Sequence, residues 1–461
     1  MRKNIYIIPL LILFLTPNIK AQDRGMAFLK GTPQSNVVNP AFRLADNDKF
    51  YIALPALGSI SASAVNTGFS WNDLFYERQD SLYVDLNNLD TKLQNKNYTN
   101  VNTSIQVLGF GIKSGRKSYF TFDLNAKSKI SVAFPDDITN IRYGNWDYNN
   151  NTPINQNLSG ISADGIAYTE LAFGYNRKIT DKLTAGIRLK YIMGAVATKS
   201  DQADLYMRTS TDGDVTIHND ISILTSGPIH ATFDKDGNIN GINLDEDISP
   251  SDFIGKNTGM GIDVGATYQL NDKIMIAAAI NDLGFINWGY KPQRFYSKGT
   301  FAYSGADITD IITGKSSDDL DLWEDIGDSL SNSFNVENIE ENSFGSDLMF
   351  NANLMGTYKF REWVDFGAII TLDHNWTSSL TLSASLNPTR VFSGVVTYSL
   401  NKNDFAELGA GFMVRGGCFQ YYMMSDNINA AFFPKHAKYV SLRFGINFIF
   451  GTKSRKIKCN I

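Results

Sequence analysis

The sequence predicts an all-β chain, a transmembrane antiparallel β-barrel of about fourteen strands with long extracellular loops. Three observations carry that prediction. Segments of period-two alternation recur along the chain. They run close to the ~9–11 residues of a tilted membrane strand rather than the ~5–6 of a soluble one. The connections between them are tight on one side and long on the other, as membrane barrels require.

The N-terminus supplies the export signal. Arg2 and Lys3 precede the apolar run Ile5 to Leu15, broken only by Pro9, and Ile19-Lys20-Ala21 ends in a small residue. Residues 1–21 therefore read as a signal peptide, since the run is too short to span a bilayer as a helix. No cysteine follows the cut, so a lipid anchor is not indicated. Residues 22–49 form an N-terminal segment, 50–450 the barrel and 451–461 a basic periplasmic tail. No later stretch approaches the ~20 apolar residues of a membrane helix. A net charge of −5 gives no footprint for nucleic acid. Two cysteines, Cys418 and Cys459, exclude a disulfide scaffold.

Alternation places the strands. Leu348, Phe350, Ala352, Leu354, Gly356, Tyr358 and Phe360 share one face of 346–360, with Asn351, Asn353 and Lys359 on the other. Leu183, Ile187, Leu189 and Tyr191 oppose Arg188 and Lys190; Met260, Ile262, Val264 and Tyr268 oppose Asp263 and Gln269. Strands are expected at about 50–66, 104–113, 117–126, 167–178, 182–195, 259–270, 273–282, 346–360, 363–373, 378–387, 390–400, 405–415, 417–424 and 438–450. Pro55 and Gly58 imply a bulge or break in the first. The long connections 67–103, 127–166, 196–258 and 283–345 then lie outside. Ser114-Gly115-Arg116, Thr180-Asp181, Asn271-Asp272, Arg361-Glu362, Pro388-Thr389 and Gly416 turn at the periplasmic rim.

In the last strand Val440, Leu442, Phe444, Ile446, Phe448 and Phe450 alternate with Ser441, Arg443, Gly445 and Asn447. Arg443-x-Gly445-x-x-Phe448-x-Phe450 resembles the C-terminal signal read by the barrel assembly machinery. A basic tail follows it here, which is a departure from that pattern. The expected surroundings are outer-membrane lipid.

Near the mature N-terminus, Asn39-Pro40-Ala41-Phe42 resembles the start of the long-chain fatty acid transporter (FadL-like) barrels. Tyr168 to Tyr175, Asn281 to Trp288 and Phe433 to Ala437 are similar to a Bacteroidota family of uncharacterised outer-membrane barrels related to them. The resemblance implies fourteen strands and an N-terminal hatch folded into the lumen, with Asn39, Pro40, Ala41 and Phe42 in it. It also implies passage of a hydrophobic small molecule past that hatch. Proline fixes φ and holds the preceding Asn extended, which suits a segment packed inside a barrel; a plain N-terminal turn would use the same residues. Relatives of this architecture also serve as partners in protein secretion, the rival expectation.

Other candidates are weaker. Ile311, Ile312, Trp323, Ile326 and Leu330 fall at helical spacing and read as an outer apolar groove, or as packing of the loop onto the rim, the simpler of the two. Glu170, Arg188, Lys190, Asp263, Asp365 and Arg443 point inward; such lumen charges either line a path or, more commonly, pair and fill the interior. Asp234 to Asn238 with Asp245 resembles a calcium loop, but lacks the sixth-position glycine and the final Glu. A Lys-Asp-Gly-Asn hairpin turn accounts for the same residues. His218, His230, His374 and His436 show no metal-ligand spacing, and no nucleophile elbow, P-loop or dinucleotide fingerprint occurs. No metal, cofactor or catalysis is expected. Cys418 and Cys459 both fall near the oxidising periplasmic rim, where a bridge would pin the tail.

Overall fold

The computed structural model describes residues 24–451, apart from 79–80, 144, 148–149, 234–238, 246–248, 250–251, 253, 305–335, 374–377 and 402–403. Fourteen strands form the wall: β1 (Phe50–Ala53 and Ile60–Asn66), β2 (Asn97–Ser114), β3 (Ser118–Phe134), β4 (Ser162–Lys178), β5 (Leu183–Thr209), β6 (Asn257–Gln269) and β7 (Ile274–Trp288). They continue with β8 (Phe344–Asp347 and Asn351–Arg361), β9 (Val364–Asp373), β10 (Ser378–Leu386), β11 (Phe392–Asn401), β12 (Asp404–Gly416), β13 (Phe419–Ser425) and β14 (Tyr439–Phe450). Each pairs antiparallel with the next. β14 returns to β1, with Phe50 opposite Phe450 and Ile60 opposite Phe444, so the sheet closes and has no edge at the wall.

Burial is inverted relative to a soluble protein. Leu189, Phe173, Met260, Leu354 and Phe366 are exposed on the outside, whereas Asn447, Gln420, Glu170, Thr381 and Asp263 are wholly buried inside. Alternation along each strand produces this pattern, and only a hydrocarbon surrounding makes it stable. The chain is thus a membrane-spanning barrel.

The break expected in β1 is present. Seven residue steps of β1, from Ala53 to Ile60, span four of β2 (Gly109 to Ile105) and three of β14 (Asn447 to Phe444). Ala56 takes φ 58°, and the Gly58 carbonyl turns into the lumen. A Cβ at Gly445 would lie 2.0 Å from that carbonyl oxygen. The glycine of the C-terminal pattern, on β14, thus makes room for the break in the neighbouring β1.

Three expectations need correction. The face proposed for 346–360 is not continuous: residues 348–350 leave the ladder, Met349 takes φ 60°, and Leu348 is fully buried on the inside while Leu354 and Phe360 point out. β7 runs six residues past its expected end because Asn281 and Asp282 form a bulge, with Asp282 at φ 57°, that shifts the alternation by one. The long connections 196–258 and 283–345 contain further strands. Above Val196, β5 changes partner from β6 to Val215–Ser226, which pairs with Gln293–Tyr303 and then Glu337–Glu340. A second sheet therefore stands on the rim as an extension of one wall strand.

Asn257 holds the branch point. Its Oδ1 accepts from the backbone N–H of Gly289 (2.9 Å) and Tyr290 (2.8 Å), and its Nδ2 donates to the Gly194 carbonyl at 3.5 Å. Between β1 and β2, the turn Trp71–Leu74 packs beside Pro434–His436 of the β13–β14 loop. Lys435 donates there to Glu77 at 2.5 Å and holds that exposed carboxyl below its ordinary range.

Candidate functional site

Residues 24–48 lie inside the barrel. Their fold is irregular, two short 3₁₀ turns at Gly25–Ala27 and Pro33–Val37, so the wall determines their position. Met26, Phe28, Leu29 and Val38 pack against Ala277, Met355, Ile369, Val395, Met413 and Tyr422 of β7 to β13. Unbranched methionine suits such an irregular fit.

Polar contacts fix the other side. Gln34 exchanges two hydrogen bonds with Asn447 (2.7 and 3.0 Å), and its Nε2 also donates to the Gly58 carbonyl and Gln106 Oε1. Asn39 Nδ2 donates to the carbonyls of Ala266 (3.3 Å) and Ala278 (3.1 Å), while its Oδ1 accepts from Ala41 N–H. Asn176 Nδ2 donates to the carbonyls of Pro40 and Phe42. Gly186 and Gly265 on β5 and β6 face Pro40 and Asn39 so closely that a Cβ on either would overlap them. Replacing Gln34 with leucine leaves the buried amide oxygens of Asn447 and Gln106 without their donor, each costing about 1–3 kcal/mol. Hydrogen exchange across 24–48 is expected to quicken at least tenfold, and unchanged protection would count against this anchor.

The opposite wall carries charge. Arg188 Nη2 donates to Asp123 at 3.0 Å and Nη1 to Asp263 at 3.4 Å. Lys127 reaches Glu170 at 2.7 Å, Lys129 reaches Asp282 at 3.4 Å, and Lys190 contacts both Asp263 and Asp282. Four cations thus meet four carboxylates across β3 to β7. Mutual attraction repays desolvation only in such a network, where each charge has more than one partner.

Of the inward charges expected from sequence, Glu170, Arg188, Lys190 and Asp263 come together here. Arg443 lies elsewhere in the lumen, donating to Ser59 (2.8 Å) and Ser61 (3.1 Å), and Asp365 accepts from Lys30 at 2.6 Å near the short-turn end. Asp123, Lys127, Lys129 and Asp282 were missed. The first three share one period-two face of β3, Asp123 inside the expected strand and Lys127 and Lys129 beyond its expected end at 126.

Between the charged wall and the N-terminal segment lies a cavity of about 200 Å³. Gln34, Val37 and Val38 form its floor, Lys127, Lys129 and Asp282 one side, and Ile369 and Phe350 another. Asp282 and Met349, both non-glycine residues at positive φ, stand in its wall. Such strain costs about 1–3 kcal/mol per residue and concentrates at functional sites.

Residues 40–426 match the profile of a family of unknown function, DUF5723. The chain belongs to that family. No curated protein matches the sequence. Among solved structures this DUF5723 chain is similar to the toluene transporter TbuX of Ralstonia pickettii: 10% identity, TM-score 0.43, covering 93% of this chain and 98% of that one. It is also similar to the Pseudomonas putida toluene transporter TodX, at 9% identity and TM-score 0.39 over 92% of this chain and 95% of that one. A FadL homologue of Pseudomonas aeruginosa aligns at 10% identity and TM-score 0.39, over 95% and 99% of the two chains.

The proposed outer groove, Ile311, Ile312, Trp323, Ile326 and Leu330, lies outside the described residues, as do the core of the calcium-like loop, His374 and Cys459. On either side of that loop, Ile229–Phe233 pairs antiparallel with Ile239–Leu244, the arrangement a hairpin turn requires. In the C-terminal pattern Phe448 and Phe450 face outward, with Phe450 stacked on Phe50 at 4.6 Å.

Proposed function

We propose that this chain is an outer-membrane channel for uptake of small hydrophobic, fatty-acid-like molecules, with residues 24–48 as its hatch. The observation that carries the reading is the cavity floored by Gln34, Val37 and Val38. A molecule held there is separated from the short-turn end by a segment that is joined to β1 through Lys49, is otherwise held by non-covalent contacts, and has an irregular fold. Movement of that segment would release it toward the periplasm. The same movement would uncover the apolar wall that the segment packs against, from Ala277 to Met424, as a surface for such a molecule to follow. Enclosure mostly by wall strands favours passage over catalysis.

The test is purification from native outer membranes in mild detergent, followed by mass spectrometry of the co-purifying material. A stoichiometric lipid-like molecule, lost on deleting Met26 to Phe42, is the expected result. A second reading, a partner-binding barrel such as an accessory of secretion, is favoured by the sheet that β5 carries above the rim. A clean barrel that instead brings down one defined protein would replace uptake with that role.

A further inference from the structure

We propose that the foot of β3 and β4 is a head-group site for an anionic phospholipid of the periplasmic leaflet. The proposal goes beyond uptake and does not depend on it. The first argument is charge. Arg116 and Lys117 fill the exposed turn between β2 and β3. Arg177 and Lys178 close β4 beside it, where the Lys178 N–H donates to the Lys117 carbonyl at 2.9 Å. Arg43 joins them, donating to the carbonyls of Arg116 and Lys117 at 3.2 Å. Among the described residues the carboxylates nearby do not balance this. Asp48 is taken up by Arg415, Asp46 reaches Lys178 only at 3.8 Å, and Asp181 is exposed in the next turn. Cations therefore remain in excess at this part of the rim.

The second argument is direction. Arg177 follows the buried Asn176, so it shares the outward face of β4 with Tyr175 and Phe173, and in register it stands opposite Ser118. Its guanidinium therefore lies beside the lipid-facing wall rather than in the lumen. Ser118 Oγ and Tyr175 Oη share one hydrogen bond at 3.3 Å, which leaves one of the two O–H groups to donate to an outside acceptor. A phosphodiester suits this set. The planar fork of Arg177 grips two of its oxygens, the hydroxyl donates to it, and Lys117 supplies a second positive charge. The third argument is continuity with the surface that meets hydrocarbon. Phe120 packs on Tyr175 at 4.9 Å, and the exposed Phe173 packs edge-on against Phe122 at 5.1 Å. The acyl chains of the same lipid lie along those rings, which a soluble anion cannot use. A choline head would bring its own cation against Arg177 and Lys117, so a zwitterionic lipid gains much less.

The experiment is native mass spectrometry of the full mature protein in neutral detergent. The probes are phosphatidylglycerol and phosphatidylcholine with the same acyl chains, added in equal amounts. Phosphatidylglycerol should be retained at least tenfold more than phosphatidylcholine. One cation near an anionic lipid head is worth about fivefold, so Arg177→Gln combined with Lys117→Gln should weaken phosphatidylglycerol about twenty-five-fold. Phosphatidylcholine should be unchanged. Heat-modifiable migration confirms that the double variant is folded; if it is not, Lys117→Gln alone, in an exposed turn, is read for the single fivefold step. Equal retention of the two lipids, or a variant that keeps the preference, overturns the proposal. A preference lost only on deleting residues 452–461, with their Lys453, Arg455, Lys456 and Lys458, overturns it too, because the lipid would then sit on the tail. Soluble polyglutamate should not displace the lipid, which is held by its chains as well as its head. Ready displacement would make the patch a surface for an acidic protein instead.

Discussion

Replacing Gly186 with valine will push the Asn39–Pro40 stretch off the barrel wall and open the lumen. A Cβ at 186 would stand 2.3 Å from the Pro40 carbonyl oxygen, 2.4 Å from its carbon and 2.6 Å from the Ala41 nitrogen. Carbon contacts settle at ~3.5–4.0 Å, and all three neighbours are backbone, so no rotamer relieves the overlap. The wall will not yield, because β5 is bonded along that stretch to β4 on one side and β6 on the other. The N-terminal segment must move, and it then gives up the Asn39 bonds to Ala266 and Ala278 and the Asn176 bond to Pro40. At about 1 kcal/mol each, those three shift the attached-to-detached balance about a hundredfold. Planar-bilayer recordings should show a higher conductance than the unaltered protein gives. A silent variant with unchanged hydrogen exchange over 33–44 would mean that the segment is not held as described.

Arg188→Met should destabilise the barrel by about 3–5 kcal/mol, because it leaves the buried Asp123 without its cation and Asp263 with Lys190 alone. Arg188 is 3% exposed and contacts Asp123 and Asp263, themselves 2% and 0% exposed. Removal exposes no charge to water; it strands Asp123 inside the wall. Arg188→Lys keeps the charge but loses the planar fork that serves two acids at once, and should fall between. Urea titration in lipid bilayers, followed by heat-modifiable migration, measures both. A loss under ~1 kcal/mol for the methionine variant would show that the neighbouring lysines compensate fully.

The wall was legible in the sequence because lipid outside and a polar lumen impose one period on every strand. Leu189 and Arg188 differ in side as adjacent residues must, and the whole of β14 follows suit. Legibility failed where that period slips. Asp282 enters the charge cluster only because its bulge adds one residue, and Leu348 turns inward for the same kind of reason. Beyond the rim no lipid enforces the contrast, so the outer half of β5, with Asp201, Gln202 and Asp204, carries no readable oily face. Residues 24–48 have no period at all. Its seat is written in the wall, in Gly186 and Gly265, whose missing side chains acquire meaning only when Pro40 and Asn39 are set against them. The cavity joins residues from many strands, and lateral register is not contained in any one of them.

The length of β5 has a mechanical consequence. Its 27 residues, at about 3.3 Å each, reach about 90 Å, and even tilted by ~45° they rise well beyond the ~30 Å hydrocarbon layer. Along its course the same strand carries Gly186 against the hatch, then Arg188 and Lys190, and then the outer sheet. A hydrogen-bonded ribbon is stiff along its axis. A grip on its tip is therefore a pull on one rod, felt at the ion pairs and, two residues further down, where Asn39 and Pro40 rest against it.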